Sequence, residues 1–284
     1  MATWCPDNKG GASWSTEDIP YDTLAHDRVR DDRRLFYIVA SASFVEITSD
    51  LYTHNLIDYF RHDSEVVEWL GMVWQKEELQ HGDALRRYVQ TAWPEFDWEA
   101  AYRGFLAEYT PLCTVDQLES TRALEMVARC VVETGTASFY RMLSAQSREP
   151  VLKQLAARIS ADEVRHYKHF YRYFLRYQAS ERPGRTAVLR TLWRRTAEIE
   201  AEDGYHAFRS VFLVRNPGTE FQRRDYAAYL DGIAQLAKHH FPYGMAAKML
   251  LKPLGLSAVV GRTVSPAIAS TIRFLLMRHT GSFS

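Results

Sequence analysis

Four glutamates stand near the centres of four long, otherwise apolar segments, and any fold for this chain has to accommodate all of them. Glu46 lies in Ser-Phe-Val-Glu-Ile-Thr, Glu133 in Cys-Val-Val-Glu-Thr-Gly, and Glu78 and Glu163 near the midpoints of the second and fourth segments. An ionised carboxylate buried among aliphatic side chains is strongly unfavourable unless it is paired or bound to a metal. Convergence on a shared positive charge would remove that cost at all four positions.

Stop signals bound the segments. Residues 1–26 contain Gly and Pro and read as an irregular N-terminal arm. An apolar pattern with few breakers runs over 27–62, and Ser64 is placed to cap a segment that ends before Pro94. A short piece over 98–109 stops at Pro111, and Thr114 with Gln117 forms a capping box for a segment reaching about Ser147. Pro150 suits the first turn of the next, which ends before Pro183-Gly184. Beyond it come 185–213, a segment capped by Thr219 with Gln222 and ending at Pro242, and shorter pieces broken by Pro253, Gly255, Gly261 and Pro266. No stretch alternates with period two for long and no β-α-β rhythm appears, so the expected fold class is all-α. Four segments of roughly 28 to 36 residues are long for globular helices, and long antiparallel helices joined by modest loops make a bundle.

Two E-x-x-H tetrads occur, Glu78-Leu79-Gln80-His81 and Glu163-Val164-Arg165-His166. On a helix, residues three apart share a face, so a carboxylate and an imidazole can grip one metal together. A single tetrad reads as a solvated helix face. Two tetrads, each on its own segment, with Glu46 and Glu133 on the other two, make the dinuclear carboxylate pattern of ferritin-like bundles. Glu125 is an alternative on the third segment, but Glu133 stands 30 residues before Glu163 as Glu46 stands 32 before Glu78, so the halves match as a pseudo-repeat. Oxygen donors with imidazole and no thiolate suit iron or manganese better than structural zinc. The expected metal ligands are Glu46, Glu78, His81, Glu133, Glu163 and His166.

The run from Trp74 to Leu85 resembles the W-x-x-E-E-x-x-H-G-D-x-L motif of soluble acyl-carrier-protein desaturases, and Ala161-Asp162-Glu163-Val164-Arg165-His166 resembles their A-D-E-x-R-H motif. Glu133 followed by Thr136 is similar to the family's third ligand and its oxygen-associated threonine, and Glu46 followed by Tyr52 sits where its first ligand would be. The resemblance covers residues 33–180. Tyr167 replaces the acid that follows the second tetrad in the family, Glu46 lacks an adjacent second glutamate, and no match extends past residue 180. The resemblance implies a ferritin-like four-helix bundle over 27–180 with additional C-terminal helices over 181–284. It also implies two iron ions, with manganese an option at one position, O₂ as co-substrate, and an external electron donor of ferredoxin type. The implied substrate is long and apolar, an acyl chain on an acyl carrier protein, and the product an alkene or an alcohol. Thr136 would relay a proton or, alternatively, pack in the helix bonded to its own backbone, and Asp162 would hold the His81 tautomer or, alternatively, be a solvated carboxylate. A ferroxidase-like iron-handling protein, a di-iron N-oxygenase of an amine and a metal-free bundle are the competing readings.

Charge adds a second division. The 35 Lys+Arg balance 35 Asp+Glu, which argues against a nucleic-acid binder. Yet residues 181–284 hold 15 bases against 8 acids, with no acid after Asp231. The stripe Arg182, Arg185, Arg190, Arg194 and Arg195 reads as solvated helix charge or as a docking surface for an acidic carrier. Residues 243–279 are apolar and basic without 18 uninterrupted apolar residues, so no spanning helix is expected; packing onto the bundle is the default reading, with a lid, a homodimer contact and a peripheral membrane contact competing. The cluster Glu198, Glu200, Glu202, Asp203 and His206 reads as a solvated face, and His239-His240 as a helix end. Cys5, Cys113 and Cys130 lack a C-x-x-C pair, and the first residues lack the basic and apolar regions of a signal peptide, so a reducing cytoplasmic setting is expected.

Overall fold

The computed structural model describes residues 14–113, 118–198 and 203–278. Among them the regular structure is helical throughout, with no strand. The expected fold is the one observed: all-α, a ferritin-like four-helix bundle with further helices after it. In chain order the α-helices are α1 Arg33–Ile47, α2 Ser49–Tyr59, α3 Ser64–Trp69, α4 Gln75–Ala92, α5 Trp98–Tyr109, α6 Arg122–Gln146 and α7 Pro150–Glu181. They are followed by α8 Arg185–Glu198, α9 Asp203–Arg215, α10 Arg223–His240, α11 Tyr243–Leu251 and α12 Ala258–Arg278.

The bundle consists of two antiparallel pairs, α1 against α4 and α6 against α7. Its interior divides into two apolar clusters. One gathers Phe36, Tyr88, Trp93, Trp98, Phe105 and Ile159; the other gathers Leu56, Trp69, Val127, Phe170 and Phe174. Along each of the four long segments the sequence passes from one cluster to the other; Glu78 and Glu163 lie at the crossing, and Glu46 and Glu133 within two turns of it. The candidate site is therefore a polar disc between two greasy plugs.

Two of the expected segments are interrupted. The 27–62 segment breaks into α1 and α2 at Thr48, whose hydroxyl donates to the carbonyls of Phe44 and Val45 at 2.9 Å each. Such local bonding competes with the helix and bends it. The break falls two residues after Glu46. The segment that follows contains a π-helical turn, Leu70–Trp74, between α3 and α4. Turns of this kind insert a residue and rotate the face that continues inward.

Several boundaries differ from the sequence expectation. Asp63 rather than Ser64 caps α3, its carboxylate accepting from Val66 N at 3.3 Å. Thr121 caps α6, accepting from Leu124 N, while Thr114 and Gln117 lie outside the described residues. Gln222 with Asp225, not Thr219, caps α10. The 185–213 segment is two helices, α8 and α9. In each case the side chain that reaches the free N–H groups sets the boundary, and sequence spacing leaves two or three residues able to do so.

The described part of the arm is packed on the bundle. Residues 14–32 form short 3-10 turns that bury Trp14, Ile19, Tyr21, Leu24 and Val29 on the bundle, and the Tyr21 hydroxyl donates to Ala84 O at 3.0 Å. Glu149, buried at the start of α7, gathers N–H donors from Val151 and Leu152, the Tyr88 hydroxyl and Ala25 N, so arm, α4 and α7 meet on one carboxylate.

The C-terminal helices cover the bundle from outside. Phe208 of α9 meets Tyr37 of α1 at 5.1 Å and stacks on Tyr229 of α10 at 4.4 Å. The Tyr167 hydroxyl donates to Met249 O at 2.6 Å, so the residue that departs from the desaturase motif anchors α11. As expected, His239 and His240 form the last turn of α10. No described helix is long and apolar enough to cross a membrane.

Candidate metal centre

The two E-x-x-H tetrads face each other from α4 and α7, and α1 and α6 each add one glutamate. Two groups of donor atoms result. Glu46, Glu78, His81 and Glu163 form the first; Glu78, Glu133, Glu163 and His166 form the second, with the atoms of each group within 4.8 Å of one another. Glu78 and Glu163 belong to both groups. All six side chains are buried.

The imidazoles are oriented through their outer nitrogens. His81 Nε2 lies 3.1 Å from Asp162 Oδ2, and His166 Nε2 lies 2.6 Å from Glu77 Oε2. Each acidic partner directly precedes a tetrad glutamate, but in the opposite half of the bundle. Arg165 joins the two, donating to Asp162 Oδ1 at 2.7 Å and to Glu77 Oε2 at 2.8 Å. Asp162 also accepts the Trp14 indole N–H at 2.8 Å, and that ring lies stacked on His81 at 6.1 Å. Carboxylates on Nε2 fix the tautomer in which Nδ1 carries the lone pair.

Neutral donors restrain three of the four glutamates. The Tyr140 hydroxyl donates to Glu46 Oε1 at 2.5 Å, the Trp74 indole to Glu133 Oε1 at 3.2 Å, and the Thr136 hydroxyl to Glu163 Oε2 at 2.8 Å. Thr136 therefore touches a candidate ligand directly, while also sharing its hydroxyl with Val132 O and Glu133 O at 3.3 and 3.4 Å.

Whether metal suits these residues can be judged from the atoms left over. His81 Nδ1, His166 Nδ1, Glu133 Oε2 and Glu163 Oε1 are buried and make no well-formed hydrogen bond, although His81 Nδ1 lies 3.1 Å from Glu163 Oε1 and His166 Nδ1 3.5 Å from Glu133 Oε2. All four belong to residues of the two donor groups. Buried polar atoms in native proteins are nearly always satisfied, and a pair of cations between the groups would satisfy these at once. The donor set of carboxylates and imidazoles without thiolate is compatible with a pair of divalent ions, whose charge four carboxylates would neutralise.

Electrostatics of the metal-free chain express the same need. Burial, then the neighbouring Glu163, pushes Glu78 well above the usual carboxylate range and Glu133 up to about 8. Burial acts on Glu163 in the same sense, but the close approach of the His166 and His81 imidazoles holds it well below that range. Burial opposes charge on the two imidazoles, and the surrounding carboxylates overcome it, raising both well above the ordinary value. These shifts favour protonation of Glu78, Glu133 and the two imidazoles in the metal-free chain.

Other sequence candidates fall elsewhere. Glu125 is buried away from both groups, where it accepts from Glu119 N at 2.8 Å and lies 2.9 Å from Arg129 Nε. Glu119, in the loop before α6, in turn binds Arg194 and Arg195, which ties these two arginines of the stripe to the bundle. Of the acidic cluster, Glu200 and Glu202 lie outside the described residues; His206 Nδ1 is 3.2 Å from Glu108 Oε2, a contact between α9 and α5.

Sequence reading missed Glu77, Arg165, Trp74, Tyr140 and Trp14 as parts of the site. Glu77 repeats, in the first tetrad, the place Asp162 holds in the second, so the pseudo-repeat contained its signal. Trp74 stands four residues before Glu78, and Tyr140 seven after Glu133, both helical spacings onto the same face. Trp14 left no signal, being 148 residues from Asp162.

No family model matches the chain. Similarity is found to a Mycobacterium tuberculosis protein named as a putative acyl-acyl-carrier-protein desaturase, DesA2, in strains CDC 1551 and H37Rv. Both are 33% identical over 123 residues, 40% of this chain. The match likewise spans 40% of the length of these relatives.

Proposed function

We propose that the chain is an O₂-dependent non-haem di-iron oxidoreductase, a desaturase or hydroxylase, acting on a long apolar acyl substrate. The observation that carries this reading is the pair of buried donor groups sharing Glu78 and Glu163. Glu46 and His81 would hold one ion, Glu133 and His166 the other, with Glu78 and Glu163 between them; iron suits both positions and manganese could serve at one. When bound, the ions supply reductive activation of O₂ and removal of hydrogen from an unactivated C–H bond.

The chain's own part is preparation. Asp162 and Glu77 keep both Nδ1 atoms free for metal. The apolar plugs above and below exclude water, which strengthens each electrostatic contact inside. Thr136, donating to Glu163, is placed to hold a proton next to the centre. Electrons would come from an external donor of ferredoxin type. The DesA2 name favours a substrate carried on an acyl carrier protein. For such an acidic partner the exposed Arg182, Arg185 and Arg190 remain as the docking charge.

Anaerobic titration with ferrous iron tests the reading. Two ions per chain are expected, followed by O₂ consumption coupled to oxidation of an acyl substrate. Binding of well under one ion per chain would end it; iron turned over into mineral without substrate oxidation would favour the ferroxidase reading.

A further inference from the structure

The restraints on the two terminal glutamates are unequal. Glu133 Oε1 receives an indole N–H at 3.2 Å, at the long end of its range, whereas Glu46 Oε1 receives a phenol O–H at 2.5 Å, at the short end of the range for a hydroxyl on a carboxylate. Both side chains are buried, Tyr140 at 1% exposure and Glu46 at 5%. The other oxygen, Glu46 Oε2, faces the centre and lies 3.7 Å from His81 Nδ1. The backbone behind Glu46 is equally constrained. Gly82 of α4 lies so close to Ile47 that a Cβ there would stand 2.6 Å from its backbone nitrogen, and the helix breaks one residue later at Thr48. Glu46 thus has a fixed root and one fixed oxygen.

We propose that Tyr140 is a positioning residue for the metal centre, holding Glu46 to coordination through Oε2 alone and so keeping one position on the first ion open. This rests on the dinuclear reading of the site. The chemistry is a competition for a lone pair. A carboxylate oxygen that accepts a strong hydrogen bond is a poorer metal donor, and Oε1 cannot swing onto the ion without abandoning the phenol. Glu133, held by the longer indole contact, keeps the freedom to change its binding mode. The two positions therefore differ in rigidity although their ligand types match: the Glu46 side is set, and the Glu133 side can adjust.

Cobalt(II) reports coordination number through its visible absorption without needing O₂ or substrate. Tyr140→Phe removes one oxygen atom and leaves the ring, and helical circular dichroism of the metal-free variant checks the fold. In Tyr140→Phe, one of the two cobalt ions is expected to gain a ligand oxygen, with weaker visible bands. Its dissociation constant should change by about 10- to 100-fold, as is usual when a partner of a metal ligand is lost, while the second ion keeps its wild-type affinity. Adding His81→Ala should remove only the altered ion. An unchanged spectrum with unchanged affinities would overturn the proposal, as would equal changes at both ions. If the wild-type chain binds no cobalt, the dinuclear reading itself fails, before Tyr140 is tested.

Discussion

At the scale of single residues, the site depends on what stands behind each ligand. His81 and His166 would be ordinary buried imidazoles without Asp162 and Glu77 on their outer nitrogens. Asp162→Asn and Glu77→Gln should each lower metal affinity by about 10- to 100-fold, measurable by isothermal titration with ferrous or cobaltous ion, and each at a different ion. His169 offers a test outside the donor set. It stacks on Trp69 at 4.9 Å, and burial pushes its pKa down to about 4, with the charges of Arg172, His166 and Arg165 adding to the effect and Glu77 opposing it. The unfolded chain would protonate this ring near its ordinary value of 6.5 and the folded chain near 4, so stability should fall as pH drops from 6.5 towards 4. In metal-free protein, urea midpoints of wild type should fall more over that window than those of His169→Gln. The sequence made the six donors legible because residue type, spacing and apolar surroundings all pointed one way. It left Tyr140 and Trp14 unread, since an aromatic residue in a bundle is ordinarily core and only the third dimension shows where its polar atom goes.

At the scale of elements, irregularities do the aiming. The break at Thr48, the π-helical turn at Leu70–Trp74 and the close approach at Gly82 all lie within a few residues of a candidate ligand. Helical periodicity predicts continuous rods there, and it misses these features because each is decided by a local bond or a tertiary contact rather than by the apolar repeat. Gly82 is the most exacting. An added methyl group would stand 2.2 Å from Ile47 Cγ1 and 2.9 Å from its Cα, so α1 as well as a side chain would have to shift. Gly82→Ala should cost about 1–3 kcal/mol in chemical denaturation despite the better helix propensity of alanine. It should also reduce metal binding towards one ion per chain, because Glu46 moves with α1. The arm behaves as an element of the site too. Trp14→Phe keeps the ring over His81 but removes the N–H donated to Asp162, and a loss of about 1.5–3 kcal/mol in thermal or urea unfolding is expected for a hydrogen bond to a charged group.

At the scale of the whole molecule, the neutral formal charge conceals an acidic interior wrapped by a basic exterior. Four buried carboxylates are a destabilising load in the metal-free chain and a binding site in the loaded one, so metal should raise the melting temperature. At a free concentration 100 times the dissociation constant the stabilisation is about 2.7 kcal/mol per site, and calorimetry with and without cobalt checks it. All-α class and bundle architecture were readable from segment length and stop signals; the places of α8 to α12 were not, because those helices dock through scattered aromatic contacts that leave no periodic mark. The crossed supports have a consequence for how the protein matures. His81 of one half is steadied by Asp162 of the other, His166 by Glu77, Glu46 by Tyr140, and Glu133 by Trp74. Neither half can assemble a competent donor set while it is apart from its counterpart. On the proposed function, capture of metal would act as a proofreading step: it would reward only chains whose two hairpins have closed on each other in register, and a misassembled chain would stay empty and hence chemically harmless.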